Sequence, residues 1–333
     1  MFAIVRGVRF LWLVLVLLCI PRILYAQGTR MEVIPFESMT LTDEAFLAGS
    51  EDGKHVTIAG ELRLPRAGTD RLPAVVLLHP SGGIGGQVTD WEQWFLSLGV
   101  ATFVVDSFTG RGITTTINDQ SQLGRLAQIE DAYRALSLIS RHPRVDPSRV
   151  MLMGFSRGGQ GSLYASMIRF QKAHADAATP GFAAYVPLYP DCSAHYLDDD
   201  NVAKAPIRIF HGSADNYDPI APCKAYVERL KAKGADVELT EFAGVNHIFD
   251  GRAFAHPTPL PKAQTVRNCA WEERSAGQLL NVKSNLPFSY TDPCVERGVI
   301  IGYDENATEQ TKKAIANLVT TTLKPTPAPA PAP

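Results

Sequence analysis

The sequence predicts an α/β fold: a mostly parallel central sheet with helices on both faces. Three observations predict it. Short, almost wholly apolar runs recur at residues 74–78, 101–105, 150–153, 182–188 and 207–210. None alternates polar with apolar residues, so each reads as a strand covered on both faces. Amphipathic stretches separate the runs, and strand–helix alternation of this kind builds parallel sheets. One run also leads through a glycine-containing turn directly into a helical pattern.

Taken in order, residues 1–26 read as a secretory signal peptide. Arg6 and Arg9 precede an apolar run at residues 10–20, and Ala26 offers a small residue before Gln27. The run is short for a membrane span, which needs about 20 residues. The expectation is an exported protein, periplasmic or extracellular, with no stable membrane anchor after cleavage. Cleavage would remove Arg6, Arg9 and Arg22 and no acid. The 333-residue chain carries a formal charge of −2. It has no basic excess to engage a phosphate backbone, so no nucleic-acid partner is expected. With 45% hydrophobic and 20% charged residues, it is neither disordered, collagen-like nor coiled-coil in composition.

Residues 56–64 and 237–242 alternate more than the other runs and read as outer strands. Residues 126–139 place Leu126, Ile129, Tyr133, Leu136 and Ile139 at helical spacing. Residues 162–170 and 221–233 also read as helices. Trp91 and Trp94 flank a helix start as packing residues. Asn306 followed by Glu309 resembles a capping box opening a last helix that runs to about Leu323. Residues 27–323 are expected to form one domain. Within it, residues 251–302 match no strand or helix pattern and read as an insertion. Residues 324–333 are a Pro/Ala-rich tail that cannot join a helix or sheet ladder. Beyond the leader, four cysteines remain, and an even count in an exported chain reads as disulfides. Cys269–Cys294 would staple the insertion. The cysteine spacings match no zinc site, and neither metal nor cofactor is expected.

The chemistry concentrates at Gly154-Phe155-Ser156-Arg157-Gly158, a G-x-S-x-G sequence after an apolar strand and before a helix. Such a turn lifts a serine hydroxyl off the sheet edge, and the helix N-terminus behind it favours developing negative charge. A serine hydroxyl is a weak nucleophile and needs a base, held in turn by an acid. The chain order for this turn is serine, acid, histidine. His247 lies in a loop directly after the last predicted strand and is preferred over His174, His195, His211 and His256. Asp215 follows a strand end in His211-Gly212-Ser213-Ala214-Asp215. It is preferred over Asp218, which precedes Pro219, and over Asp106, which precedes the serine. The oxyanion would meet the N–H of Arg157 and one amide from the loop after residues 74–78, that of Ser81 or Gly82. Arg111, in a loop after a strand, and the Arg157 side chain are candidates to meet a substrate carboxylate.

Five pieces carry a resemblance. They are Leu78-His79 with Gly82-Gly83, Val105-Asp106-Ser107-Phe108, Gly154 to Gly159, His211 to Asp215, and Gly244-Val245-Asn246-His247. Together they resemble the α/β-hydrolase superfamily and, within it, the dienelactone hydrolase-like family. The resemblance implies a Ser156–His247–Asp215 triad at the C-terminal edge of the sheet. The enzymes that gave the family its name carry cysteine where this chain has Ser156, which points to general ester hydrolysis. The implied activity is that of an exported serine hydrolase acting on small-molecule carboxylic esters or lactones. A serine peptidase or amidase, or a non-catalytic binding protein on the same fold, are the alternatives. The implied fold also sets Cys192 and Cys223 at one sheet edge, so a Cys192–Cys223 bridge near the acid loop is expected.

Overall fold

A computed structural model of the chain describes residues 30–325. The expected signal peptide, and the tail beyond residue 325, lie outside the described residues. An eight-stranded sheet runs through the molecule in the order β1 (Arg30–Thr40), β2 (Lys54–Leu64), β4 (Ala101–Asp106), β3 (Leu72–Leu78), β5 (Val145–Phe155), β6 (Ala184–Leu188), β8 (Ile207–Gly212) and β9 (Val237–Phe242). β1 and β2 pair antiparallel, as do β2 and β4; every junction from β4 to β9 is parallel. The connections that carry weight are the helices α1 (Asp43–Leu47), α2 (Gly86–Ser97), α3 (Ala127–Ser140), α4 (Arg157–Tyr164), α5 (Ile168–His174), α6 (Ile220–Ala232) and α7 (Glu305–Leu318).

The unbroken apolar runs follow from burial on both sides. Along β3, Ala74, Val76 and Leu78 face one core layer, under α3 with Leu126, Ile129 and Leu136. Val75 and Leu77 face the other, where Trp91 and Phe95 of α2 and Ile315 and Leu318 of α7 pack. Both faces of the strand exclude water, so neither needs polar residues.

Several elements differ from expectation. The edge strand β1 was not expected, and Trp91 and Trp94 lie inside α2 rather than at a helix start. The helix expected over residues 162–170 is two helices, α4 and α5. Met167 between them is extended and bridges Val202, while Ser166 Oγ donates back to the Leu163 carbonyl at 2.6 Å. The cap of α7 is Asp304, whose carboxylate accepts from Ala307 N at 2.8 Å, rather than Asn306. The stretch 251–302 is not irregular. β10 (Thr258–Thr265) pairs with β13 (Glu296–Ile301), and β11 (Trp271–Ser275) pairs with β12 (Gln278–Asn281) and with the short β7 (Ala194–His195). Cys269 and Cys294 are bonded with Cα atoms 5.0 Å apart, and Cys192 and Cys223 with Cα atoms 4.9 Å apart.

Candidate active site

Ser156 joins β5 to α4 with φ 53° and ψ −114°, a conformation uncommon outside glycine. Strain of this kind costs about 1–3 kcal/mol and persists only where the surroundings enforce it. Two glycines make room for the turn. A Cβ at Gly154 would overlap the Gly158 carbonyl, and one at Gly158 would overlap the Leu78 carbonyl. Ser156 N donates to Leu188 O at 3.0 Å, tying the turn to β6.

Parallel strands deliver the remaining groups to the same edge. Leu78 and Gly154 are in register, as are Leu188 and Phe210, and Gly212 and Phe242. The loops after β3, β5, β8 and β9 therefore emerge side by side. His247 Nε2 lies 2.9 Å from Ser156 Oγ, and His247 Nδ1 lies 2.6 Å from Asp215 Oδ2. The other Asp215 oxygen accepts from Tyr217 N and Asp218 N at 2.9 and 3.0 Å. The imidazole sits between the rings of Tyr189 and Tyr217, with centroids 4.7 and 4.8 Å away. Both His247 and Asp215 side chains are fully buried.

The fields on the two groups reinforce each other. Burial opposes charge on Asp215, but the adjacent His247 and the bonds it accepts outweigh burial and hold the carboxyl below its ordinary range. Burial also opposes charge on His247, and Asp215, Asp218 and Asp250 outweigh it, holding the imidazole above its ordinary value. His247 is thus a stronger base than a free imidazole, oriented with Nε2 toward the serine.

The rival residues have other partners. Asp218 places a carboxylate oxygen 3.9 Å from His247 Nε2, on the serine side of the ring. Asp106 accepts from Phe108 N and Thr109 N, both at 2.9 Å, and shapes its own turn. His211 is buried between the Gly212 and Pro190 carbonyls. His174 stacks on Phe46, with centroids 3.9 Å apart. His79 Nδ1 donates to the Pro80 carbonyl at 2.8 Å and its Nε2 accepts from Ser107 N at 3.2 Å, which fixes the start of the Ser81–Gly82 loop.

Neither arginine weighed for a substrate carboxylate has a donor left for one. Arg111 gives Nε to Thr40 Oγ1, Nη1 to Ser107 O and Asp131, and Nη2 to Met39 O and Asp131. Its side chain is 3% exposed and that of Asp131 is fully buried. Arg111 is a structural cation, held by the buried Asp131 carboxylate on α3. The Arg157 guanidinium is likewise filled, by Gln120 Oε1 and the carbonyls of Gln120, Leu123 and Gly124. Its main-chain N–H, first in α4, has no helical acceptor by position.

Two cavities meet at Ser156. One, of about 380 Å³, is lined by the Pro80–Gly83 loop, His247, Ile248, Phe254, Leu260 and Ile301. The other is a polar recess of about 30 Å³ that includes Gln120, Arg125, Gln160, Asp191, Asp218 and Gln264. Ser81 and Tyr217 line both, whereas Gly82 lines only the first. Sequence reading missed Asp250, which accepts from Trp91 Nε1 and Tyr189 OH, both at 2.7 Å. Its place three residues after His247 is the available signal. It also missed Gln120, whose side chain ties Arg157, Ser81 and Tyr217 together. Among the described residues no cluster could hold a metal ion, and no helix is long and apolar enough to cross a membrane.

The fold is that of the α/β-hydrolases: a mostly parallel sheet whose C-terminal edge carries the serine turn and the histidine and acid loops. Within that class, residues 58–322 match the dienelactone hydrolase family, and the chain belongs to it. The chain is 32% identical over 96 residues to a polyketide transferase of Stachybotrys chlorohalonatus, covering 28% of this chain and 31% of that one. It is 32% identical over 104 residues to acyl-protein thioesterase 1 of Gibberella zeae, covering 30% and 42%. The matched stretches thus span less than half of either relative. A dienelactone hydrolase-like promiscuous phosphotriesterase from metagenomic libraries shares the fold at TM-score 0.56 and 16% identity, over 89% of this chain and 99% of that one.

Proposed function

We propose that this chain is an exported serine hydrolase that cleaves carboxylic esters or lactones through an acyl-enzyme. The observation that carries the reading is the continuous relay Asp215–His247–Ser156, opening on a cavity. Family membership supports ester-bond hydrolysis. Two disulfides support an oxidising compartment, since such bonds do not persist in a reducing one.

In the first half-reaction, His247 Nε2 takes the proton from Ser156 Oγ as the oxygen attacks the carbonyl carbon. The carbonyl oxygen becomes an oxyanion, met by Arg157 N–H and the main-chain N–H of Ser81. Ser81 is favoured over Gly82 because it borders both cavities that share Ser156. His247 then returns the proton to the leaving alcohol as the ester bond breaks, and Asp215 stabilises the imidazolium in between. Water, deprotonated by the same nitrogen, releases the acid and restores Ser156.

The test is labelling with a fluorophosphonate and locating the adduct by mass spectrometry. The expected adduct is on Ser156, lost in His247→Ala, with Ser156→Ala lowering ester turnover by at least about 10⁴-fold. An unlabelled, folded protein, or Ser156→Ala with near-normal turnover, overturns the reading in favour of a binding protein on the same fold.

A further inference from the structure

We propose that the polar recess beside Ser156 is an acyl-side subsite for a small hydroxyl-bearing group, with Asp218 and Gln160 as its specificity-determining residues. The inference rests on the triad proposed above. His247 must protonate the leaving alcohol, so the alcohol leaves toward His247. His247 lines the larger, mainly apolar cavity and not the recess. The acyl chain is therefore the part that enters the recess, and the alcohol is the apolar part.

The recess is built for hydrogen bonding and is incompletely satisfied. Gln160 is 2% exposed and lines it, and its Nε2 has no acceptor among the described residues. Arg125 also lines it. Its Nη2 pairs with Asp191 and with Gln160 Oε1, while its Nε finds no acceptor. The Asp218 carboxyl is buried and makes no hydrogen bond among the described residues; its ionic neighbour is His247 Nε2 at 3.9 Å. Buried polar groups left without partners are rare, and the residues carrying two of them, Gln160 and Arg125, line the recess together with Asp218.

Charge and size narrow the occupant. Asp218 faces Asp215 on its own loop, His247 after β9, Asp191 after β6 and Arg125 before α3. Burial, with Asp191 and Asp215 close by, pushes the Asp218 carboxyl up to about 8. A substrate carboxylate would add negative charge beside Asp191 and Asp218; of the two arginines lining the recess, Arg125 is already paired with Asp191 and the Arg157 guanidinium is fully occupied. A hydroxyl both accepts and donates, so it pairs with Asp218 in either protonation state, and the Gln160 amide borders the same space. The recess, of about 30 Å³, is far smaller than the neighbouring cavity of about 380 Å³ and takes a small group rather than a chain. A CH₂–OH unit attached to the ester carbonyl meets both limits.

The experiment compares phenyl hydroxyacetate with phenyl propanoate, which differ by hydroxyl for methyl and share a leaving group. Each kcat/KM is divided by that ester's hydroxide-catalysed rate, and active sites are counted by fluorophosphonate labelling. The full-length protein should favour the hydroxyacetate by about tenfold or more, because its polar groups stay unpaired with the propanoate. Asp218→Leu should erase most of that ratio. Asp218→Asn, which keeps a donor and an acceptor, should restore part of it, and Gln160→Met should lower it independently. Equal rates for the two esters in the wild type, or an unchanged ratio in both Asp218→Leu and Gln160→Met, overturn the subsite. Turnover of other esters with Ser156 labelled would then leave the triad standing. An unlabelled serine with no turnover overturns the triad itself.

Discussion

Asp215 and Asp218 lie three residues apart in one loop, yet their surroundings drive them in opposite directions. Asp215 contacts the His247 imidazole and accepts two main-chain N–H groups, so it stays ionised despite burial. Asp218 lacks such donors, and burial prevails. This difference was only half legible in the sequence. Strand-end placement favoured Asp215, but no pattern announced that Asp218 would face the serine side of the same imidazole. One prediction follows for pH. In the proposed mechanism His247 must be neutral to accept the serine proton, and its value is raised, burial being outweighed by Asp215, Asp218 and Asp250. Activity is therefore lost as pH falls through a value above the ordinary 6.5. A profile of kcat/KM against pH should show its acid limb there, and a limb below 6.5 would contradict the arrangement. A second prediction concerns Arg111. Its loop position looked suited to a substrate, but loops also receive the cations that buried acids elsewhere require. Arg111→Met should destabilise the protein by about 3–5 kcal/mol, since Asp131 would stay buried without its partner. Urea unfolding measures the loss, and the kcat of the folded fraction should be close to wild type.

At the scale of elements, legibility tracked how completely each element is buried. β3, β4, β5, β6 and β8 lie inside the sheet, and their sequences show it as uninterrupted apolar residues. β1 was missed because it is an edge strand, with Met31 and Val33 exposed and an irregular pattern. The break between α4 and α5 was missed because apolar spacing continues through it. There the extended backbone of Met167 meets Val202, a partner distant in sequence. β10 to β13 were missed because short strands in small sheets draw their support from pairing rather than from a buried face. The serine turn was the reverse case: the residues that permit it are local, so it was read in full. Its geometry makes a sharp prediction. Gly158→Ala would drive a methyl group into the Leu78 carbonyl, which is main chain in the centre of the sheet and cannot yield. The variant should lose about 2 kcal/mol or more of stability. It should also lose activity in the molecules that do fold, because α4 can relieve the overlap only by shifting Ser156. Fluorophosphonate labelling rate per folded molecule is the measurement.

At the scale of the molecule, the two disulfides hold different walls of one site. Cys192 follows Asp191 directly, and Cys223 lies in the first turn of α6, just beyond Asp218. That bridge joins the two acidic sides of the polar recess and lies close to the loop that carries Asp215. Cys269 and Cys294 join two arms of the 251–302 stretch, close behind Val266 and just before β13. Through β10 and β13, residues 251–302 supply Leu260 and Ile301 to the larger cavity, and Gln264 and Thr265 to the recess. Each bridge closes a segment of similar length, with sequence separations of 31 and 25. Loop-closure entropy gives both about 3–4 kcal/mol of stabilisation. The paired variants Cys192→Ser/Cys223→Ser and Cys269→Ser/Cys294→Ser should therefore lose similar stability in urea unfolding. Their kinetics should separate. Loosening the first bridge moves the acid loop relative to His247, so kcat should fall. Loosening the second leaves the triad in place and opens the walls, so KM should rise with kcat nearly unchanged, because binding is then lost equally from ground and transition states. Identical kinetic losses in both pairs would show that the 251–302 stretch reaches the proposed relay itself, and that the two walls are one mechanical unit.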